Sequence, residues 1–163
     1  MSGIKKIAFI LVILIFLLLE VVYLDKIEIH GIKPDLLLIA LIFFSLQRNL
    51  IFGLGLGLVL GLLKGVFSAG PLGIQMFTFG LCGLVIGKYF KFIYKQGIFV
   101  KIVTVFFLSI FAGLVYYLAS LPIDVLPNLV TSFRGIILPA GIYTAIFALP
   151  AFLLLQKLFY ENK

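Results

Sequence analysis

The fold depends on whether residues 36–66, LLLIALIFFSLQRNLIFGLGLGLVLGLLKGV, form one helix or two. Apolar residues dominate this stretch and the whole chain, which is 64% hydrophobic and 12% charged over 163 residues and is therefore suited to lipid rather than water. One helix would be about 46 Å long and would carry Arg48 through a hydrocarbon core of about 30 Å. We therefore predict two helices joined at Gln47-Arg48-Asn49.

The rest of the chain extends this pattern to an all-α integral membrane protein with about six transmembrane helices in one compact domain. At about 20 residues per crossing, 163 residues leave no room for a separate soluble domain. The predicted spans are residues 7–24, 34–46, 50–66, 72–87, 102–121 and 136–155, with a basic cytoplasmic connection over 88–101 that lies on the membrane surface. The second span is short, so we expect it to extend back over Ile32 to Asp35, to tilt little, or to lie in thinned bilayer.

The cations predict the topology. The net charge is +7, but its carriers are dispersed between apolar runs and form no nucleic-acid-binding stripe. With Arg48 at a cytoplasmic turn, nine cations face the cytoplasm, as the positive-inside rule expects: Lys5, Lys6, Arg48, Lys88, Lys91, Lys95, Lys101, Lys157 and Lys163. Four lie on or near the outer side: Lys26, Lys33, Lys64 and Arg134. Both termini are therefore predicted to be cytoplasmic.

The glycines are concentrated in two predicted helices. Gly53, Gly57, Gly61 and Gly65 recur every four residues, and the following span repeats the spacing at Gly83 and Gly87. Such a row forms a groove in which another helix backbone can approach closely. The groove is suited to packing within the chain or, alternatively, to binding a partner's helix.

Three ionisable residues lie inside predicted spans near the outer boundary: Glu20, Asp35 and Lys64. Measured from the turn at Arg48, Asp35 and Lys64 lie at similar heights on antiparallel helices. We predict that Lys64 pairs with Asp35, or alternatively with Glu20, and fixes the first three helices at their outer ends. The competing interpretation is that each charge is solvated separately at the interface.

No residue pattern indicates catalysis, a cofactor or a metal. His30 is the only histidine and Cys82 the only cysteine, so neither a Ser/His/Asp set within the membrane nor a thiolate metal site is available. The glycine row is not a phosphate-binding loop, because no GK[ST] follows it. The sequence therefore predicts a protein that is not an enzyme.

Three segments together resemble the rod shape-determining membrane protein family MreD. They are Pro34-Asp35 followed by leucines, the Gly-rich helix from Gly53 to Gly65, and Gly70-Pro71-Leu72-Gly73 followed by Gly83 and Gly87. The resemblance covers about residues 30–90 in motif and the whole chain in length and hydropathy. Two departures are visible, because the family often has an acidic residue where Lys64 stands and asparagine where Gln75 stands.

The resemblance implies a scaffold of the bacterial elongation machinery in the cytoplasmic membrane. Proteins of this family are held to bind the bitopic protein MreC and to help link MreB filaments to peptidoglycan synthases. Pro34, Asp35 and the turn Gly70 to Gly73 would be structural determinants, and the glycine face would be the partner surface. The alternative is a substrate-binding membrane subunit of a vitamin or metal uptake transporter. Its usual Ala-x-x-x-Ala face is missing from the first span, which contains only Ala8.

Overall fold

The computed structural model describes residues 3–23, 32–67, 72–120 and 133–160, and these residues confirm the all-α membrane class. The described α-helices are α1 Gly3–Leu18, α2 Leu36–Ser45, α3 Leu50–Phe67, α4 Leu72–Tyr94, α5 Ile98–Ser120 and α6 Leu138–Tyr160. A π-helical segment, Leu19–Tyr23, continues α1, and another, Phe133–Ile137, precedes α6. The predicted spans leave connections at residues 25–33 and 122–135, and most of both lies outside the described residues.

The predicted break at Arg48 is confirmed. Helix α2 ends at Ser45, and the backbone N–H groups of Gln47 and Arg48 donate to the carbonyls of Phe44 and Ser45, which closes a tight turn. Asn49 then accepts a hydrogen bond from the Phe52 N–H at 3.2 Å and caps the start of α3. Asn49 therefore begins α3 from the N-cap position, which asparagine prefers.

Helix α2 is the buried centre of the bundle. All ten of its residues are buried, and at 1.5 Å per residue it is only about 15 Å long, half of a hydrocarbon core. Residues 32–35 are not helical, so the expected extension of this span back to Ile32 does not occur. The short length is tolerated because α2 contacts protein on every side, so its ends need not reach the membrane surface.

Aromatic rings fill the bundle around the C-terminal end of α2. Phe44 lies edge-to-face against Phe9 of α1 at 4.5 Å between ring centroids and against Phe159 of α6 at 5.3 Å. Phe43 makes a similar contact with Phe152 at 5.6 Å. Such pairs stabilise beyond the area they bury, so α1, α2 and α6 are held together at this end.

Helices α3 and α4 form the closest pair in the bundle. A Cβ placed on Gly57 would lie 2.8 Å from the carbonyl carbon of Phe79, and one on Gly87 would lie 2.6 Å from the Cα of Leu50. Contacts this short involve backbone on both sides, so only glycine permits the observed separation.

The predicted basic connection is shorter than expected. Helix α4 continues to Tyr94 and α5 begins at Ile98, so only Lys95 to Gly97 join them. Residues 88–101 are therefore not one connection, since most of that segment extends these two helices. Its position at the membrane surface stays a prediction. Lysine is a good helix former, and no glycine or proline occurs from Lys88 to Gln96, so the local sequence does not end α4 earlier.

Among the described residues, three helical segments are long and apolar enough to cross a membrane. They are Leu50–Phe67, Ile98–Ser120 and Phe133–Phe159, and two shorter apolar helices cover Ile7–Val22 and Leu36–Ser45. The count of six spans and the cytoplasmic position of both termini stay predictions.

Candidate functional site

The candidate site is built on the N-terminus of the buried helix α2. The first N–H groups of a helix have no partner within it, and burial makes an unpaired N–H costly. Two carboxylates supply the acceptors here. Asp35 Oδ1 accepts from the Leu38 N–H at 2.9 Å, and Glu20 Oε2 accepts from the Leu37 N–H at 3.0 Å. Both negative charges also lie at the positive end of the helix dipole.

Lys64 of α3 neutralises part of this charge. Its ammonium nitrogen lies 2.9 Å from Glu20 Oε1 and forms an ion pair with Asp35 Oδ2. The three side chains are only 12–21% exposed, so each depends on the other two rather than on solvent. We call Glu20, Asp35 and Lys64 the cap cluster.

The cap cluster joins four helices at one point. Glu20 comes from the π-helical end of α1, Asp35 precedes α2, and Lys64 lies in the last turn of α3. From α6, the Thr144 hydroxyl accepts from the Asp35 N–H at 3.1 Å and donates to the Ala140 carbonyl at 2.8 Å. The cluster therefore fixes how these helices pack at this end of the bundle.

The cap and the charge of Asp35 are separable by mutation. We expect Asp35→Ala to lower the free energy of unfolding by about 1–2 kcal/mol, because the Leu38 N–H loses its acceptor. Asp35→Asn should lose clearly less, since an asparagine oxygen caps as well as a carboxylate and Lys64 retains Glu20. Unfolding by SDS, followed by helical circular dichroism, measures both. Equal losses in the two variants would show that the charge, not the cap, is what matters.

The predicted contact of Lys64 with Asp35 is present, and Glu20, the alternative partner, contacts the same ammonium. The interpretation of three separately solvated charges is therefore wrong. Pro34, which precedes the cap, is buried and fixes the backbone entering α2.

The third segment of the family resemblance, which begins at Gly70-Pro71-Leu72-Gly73, is only partly described. Gly70 and Pro71 lie outside the described residues, and α4 begins at Leu72. Gly73 is exposed, and a Cβ placed on it meets no described residue within 4 Å, so no contact within the described ranges requires glycine there.

The glycine row is used within the chain. Gly53, Gly57 and Gly61 face the backbone of α4, while Gly83 and Gly87 face α3, and Gly65 is also buried. A partner's helix could reach these glycines only by separating α3 from α4. Gly55 is different, because it is exposed and has open space around its Cβ position.

A cavity of about 610 Å³ lies over the N-terminus of α2 and is lined by all six helices. The cap cluster forms part of its wall, together with the polar side chains of Gln75, Thr78, Ser109, Tyr116 and Thr144. It exists because α2 is about 15 Å long and its neighbours continue past it.

Among the polar residues of this wall, the sequence singled out only Gln75, as a departure from the family pattern. The available signal was their spacing, because Gln75 and Thr78 lie three residues apart on α4 and Ser109 and Tyr116 seven apart on α5, which places each pair on one face of its helix.

Metal and thiol chemistry find no support in the described ranges. Among residues 3–23, 32–67, 72–120 and 133–160, no group of three His, Cys, Asp or Glu side chains could hold a metal ion. His30 lies outside these ranges. Cys82 is fully buried in α4, where it acts as a small apolar side chain.

Comparisons with known proteins give one result that bears on identity. No curated protein and no solved structure matches the chain. A family model does match, over residues 4–159 of 163, and it describes the rod shape-determining protein MreD. Because this match spans nearly the whole sequence, the chain belongs to the MreD family.

Proposed function

We propose that this protein is a non-enzymatic membrane scaffold of the bacterial cell-elongation machinery. It binds an MreC-like bitopic membrane protein and, through it, links MreB-like filaments to peptidoglycan synthases, thereby regulating cell shape. The observation that carries the proposal is the family match over residues 4–159, because the MreD family acts in rod shape determination and is not a known enzyme family.

The proposed location is the bacterial cytoplasmic membrane, crossed several times, with both termini inside. The charges support this placement. Lys88, Lys91, Lys95 and Lys157 are exposed at the same end of the bundle as the Arg48 turn, whereas the cap cluster lies at the opposite end. A segregated basic end is typical of the cytoplasmic side.

The chemistry of the described residues suits a scaffold. The charged groups inside the bundle hold helix ends together, and long apolar faces remain exposed on α1, α3, α5 and α6. Lipid and a partner's helix are equally apolar, so a partner is selected by close packing rather than by hydrophobicity.

Crosslinking from exposed positions tests this function. Leu54 and Leu58 lie beside the glycine row on α3, but they are poor crosslinking positions because both pack against Gly80 of α4. Better positions point away from the bundle on four different helices and are 57–63% exposed: Ile10, Val59, Phe107 and Ile146. We expect a photoreactive residue at one or two of these positions to capture the MreC-like protein in native membranes. Ile39, which is fully buried, is the matched negative control.

The result also separates the scaffold from the uptake subunit. Capture of the bitopic protein, with loss of rod shape in cells depleted of this chain, supports the scaffold. Capture of a transporter ATPase subunit, or of neither protein at four well-expressed positions, would contradict it. The family match favours the scaffold.

A further inference from the structure

The C-terminal end of α4 projects past the helix beside it. The Leu50 Cα at the start of α3 lies 2.6 Å from the position that a Cβ on Gly87 would take, so Gly87 is level with that start. Helix α4 continues from Gly87 to Tyr94, a further rise of about 10 Å. Its whole length of about 35 Å exceeds a hydrocarbon core of about 30 Å. The last two turns of α4 therefore reach the depth of the lipid head groups.

One side of these two turns carries lysines around an exposed phenyl ring. Four exposed residues share this side at offsets of zero, three, four and seven positions: Lys88, Lys91, Phe92 and Lys95, which directly follows the helix. We call these four residues the basic face. The Phe92 side chain is 67% exposed. Lysines beside an exposed aromatic ring are typical of the membrane interface, where the ammonium reaches the head groups and the ring stays near the acyl chains.

No carboxylate among the described residues balances this positive charge. The described carboxylates are those of Glu20 and Asp35, and both belong to the cap cluster at the opposite end of the bundle. Lys101 of α5 and Lys157 of α6 add further positive charge at the end that carries the basic face. Lysines concentrated directly beside a transmembrane helix attract anionic lipid head groups.

The basic face continues an apolar surface of the same helix. Phe77 precedes Phe92 by 15 residues, about four helical turns, so it lies on the same side of α4, where it is 58% exposed. Leu81 and Leu84 lie between them on this side and are partly exposed. A phospholipid whose acyl chains lie against Leu84 places its phosphate at the height of the lysines. A lipid therefore matches both the charge and the position of the basic face, whereas an acidic protein segment would match only the charge.

We propose that the basic face binds the head groups of anionic phospholipids in preference to zwitterionic ones. The lysine ammonium groups contact the phosphate oxygens, and Phe92 contacts the adjoining part of the acyl chains. A zwitterionic lipid carries its own cation, which competes with the lysines for the phosphate. This binding requires only that the bundle crosses a membrane, and it does not depend on the proposed scaffold function.

Photocrosslinking measures the preference. The full chain carries p-benzoylphenylalanine in place of Phe92, in nanodiscs of equal parts phosphatidylglycerol and phosphatidylcholine with the same acyl chains, and mass spectrometry counts the adducts. We expect phosphatidylglycerol adducts to exceed phosphatidylcholine adducts about five-fold. The same photoreactive residue in place of Phe77, on the same side of α4 but away from the lysines, is the matched control and should capture the two lipids about equally. Equal ratios at positions 92 and 77 would overturn the proposal.

Two sets of lysine substitutions identify the cause. Lys88→Gln, Lys91→Gln and Lys95→Gln together remove the charge and should lower the adduct ratio at position 92 to that at position 77. Lys88→Arg, Lys91→Arg and Lys95→Arg together keep the charge and should keep the preference. A preference that survives the glutamine substitutions, or that is lost with arginine, would refute binding through these charges.

Native membranes decide between a lipid and a protein on the basic face. With the photoreactive residue at position 92, we expect phospholipid to be the main adduct. A protein as the main adduct would show that a partner occupies the basic face and would overturn the proposal.

Discussion

Replacing Lys64 with methionine should lower the free energy of unfolding by about 3–5 kcal/mol, the cost of removing one partner from a buried ion pair. Methionine keeps most of the length and apolar contact of the lysine, so the loss reports the charge. Glu20 and Asp35 would then face each other without a cation between them, at 12% and 21% side-chain exposure. SDS-induced unfolding followed by circular dichroism measures the change.

A second substitution provides the control. Glu20→Gln on the Lys64→Met background removes one of the two uncompensated charges, while the glutamine oxygen can still accept from the Leu37 N–H. We expect the double variant to be more stable than Lys64→Met alone by 1 kcal/mol or more, about the scale of one charged hydrogen bond. If the double variant is less stable, the two residues do not act through a shared charge balance.

Exchanging the charges at positions 35 and 64 tests the ion pair less well than Lys64→Met and its Glu20→Gln control. Asp35 both pairs with Lys64 and accepts from the Leu38 N–H. A lysine at position 35 has no acceptor for this N–H, so Asp35→Lys with Lys64→Asp would lose the cap even if it restored the ion pair. Low stability of the exchanged variant would therefore not disprove the ion pair between Asp35 and Lys64.

Gly57→Ala should produce the second large effect, a loss of about 2–3 kcal/mol in the free energy of unfolding. The added methyl would lie 2.8 Å from the Phe79 carbonyl carbon and 3.1 Å from the Gly80 Cα. Backbone atoms cannot turn aside as a side chain can, so α3 and α4 must move apart along their shared face. SDS-induced unfolding followed by circular dichroism measures the loss.

Gly55→Ala is the matched control, two residues away on the same helix. Its Cβ position has nothing within 4 Å, and alanine favours a helix over glycine by up to about 1 kcal/mol. The unfolding free energy should therefore stay the same or rise. Equal destabilisation by Gly57→Ala and Gly55→Ala would mean that helix separation at the glycine row is not the cause.

The sequence predicted features that follow from distance along the chain. A bilayer limits the length of a helix, which required a break at Arg48, and the structure has its turn there. The four-residue spacing of Gly53, Gly57 and Gly61 places them on one face of a helix whatever that face contacts. Similar distances from the turn at Arg48, 13 residues back and 16 forward, placed Asp35 and Lys64 at similar heights.

The environment of α2, and with it the role of the charged residues at its N-terminus, depended on how the other helices pack around it. The sequence of α2 is apolar on all sides, and this pattern fits either a span in lipid or a helix enclosed by protein. Enclosure changed the role of the charged residues, because a buried helix end needs acceptors that solvent cannot supply. Glu20 and Asp35 are therefore N-terminal acceptors and not charges solvated at the membrane surface.

The sequence by itself determined that the chain is suited to lipid, that its fold is all-α, and where the central turn lies. These follow from composition and from the rise per residue of a helix. Only the tertiary structure decided that α4 fills the glycine row, that α2 stops short inside the bundle, and that a cavity lies over its cap. These depend on contacts between segments far apart in the chain. Leu37 and Glu20, or Asp35 and Thr144, carry no local pattern that links them.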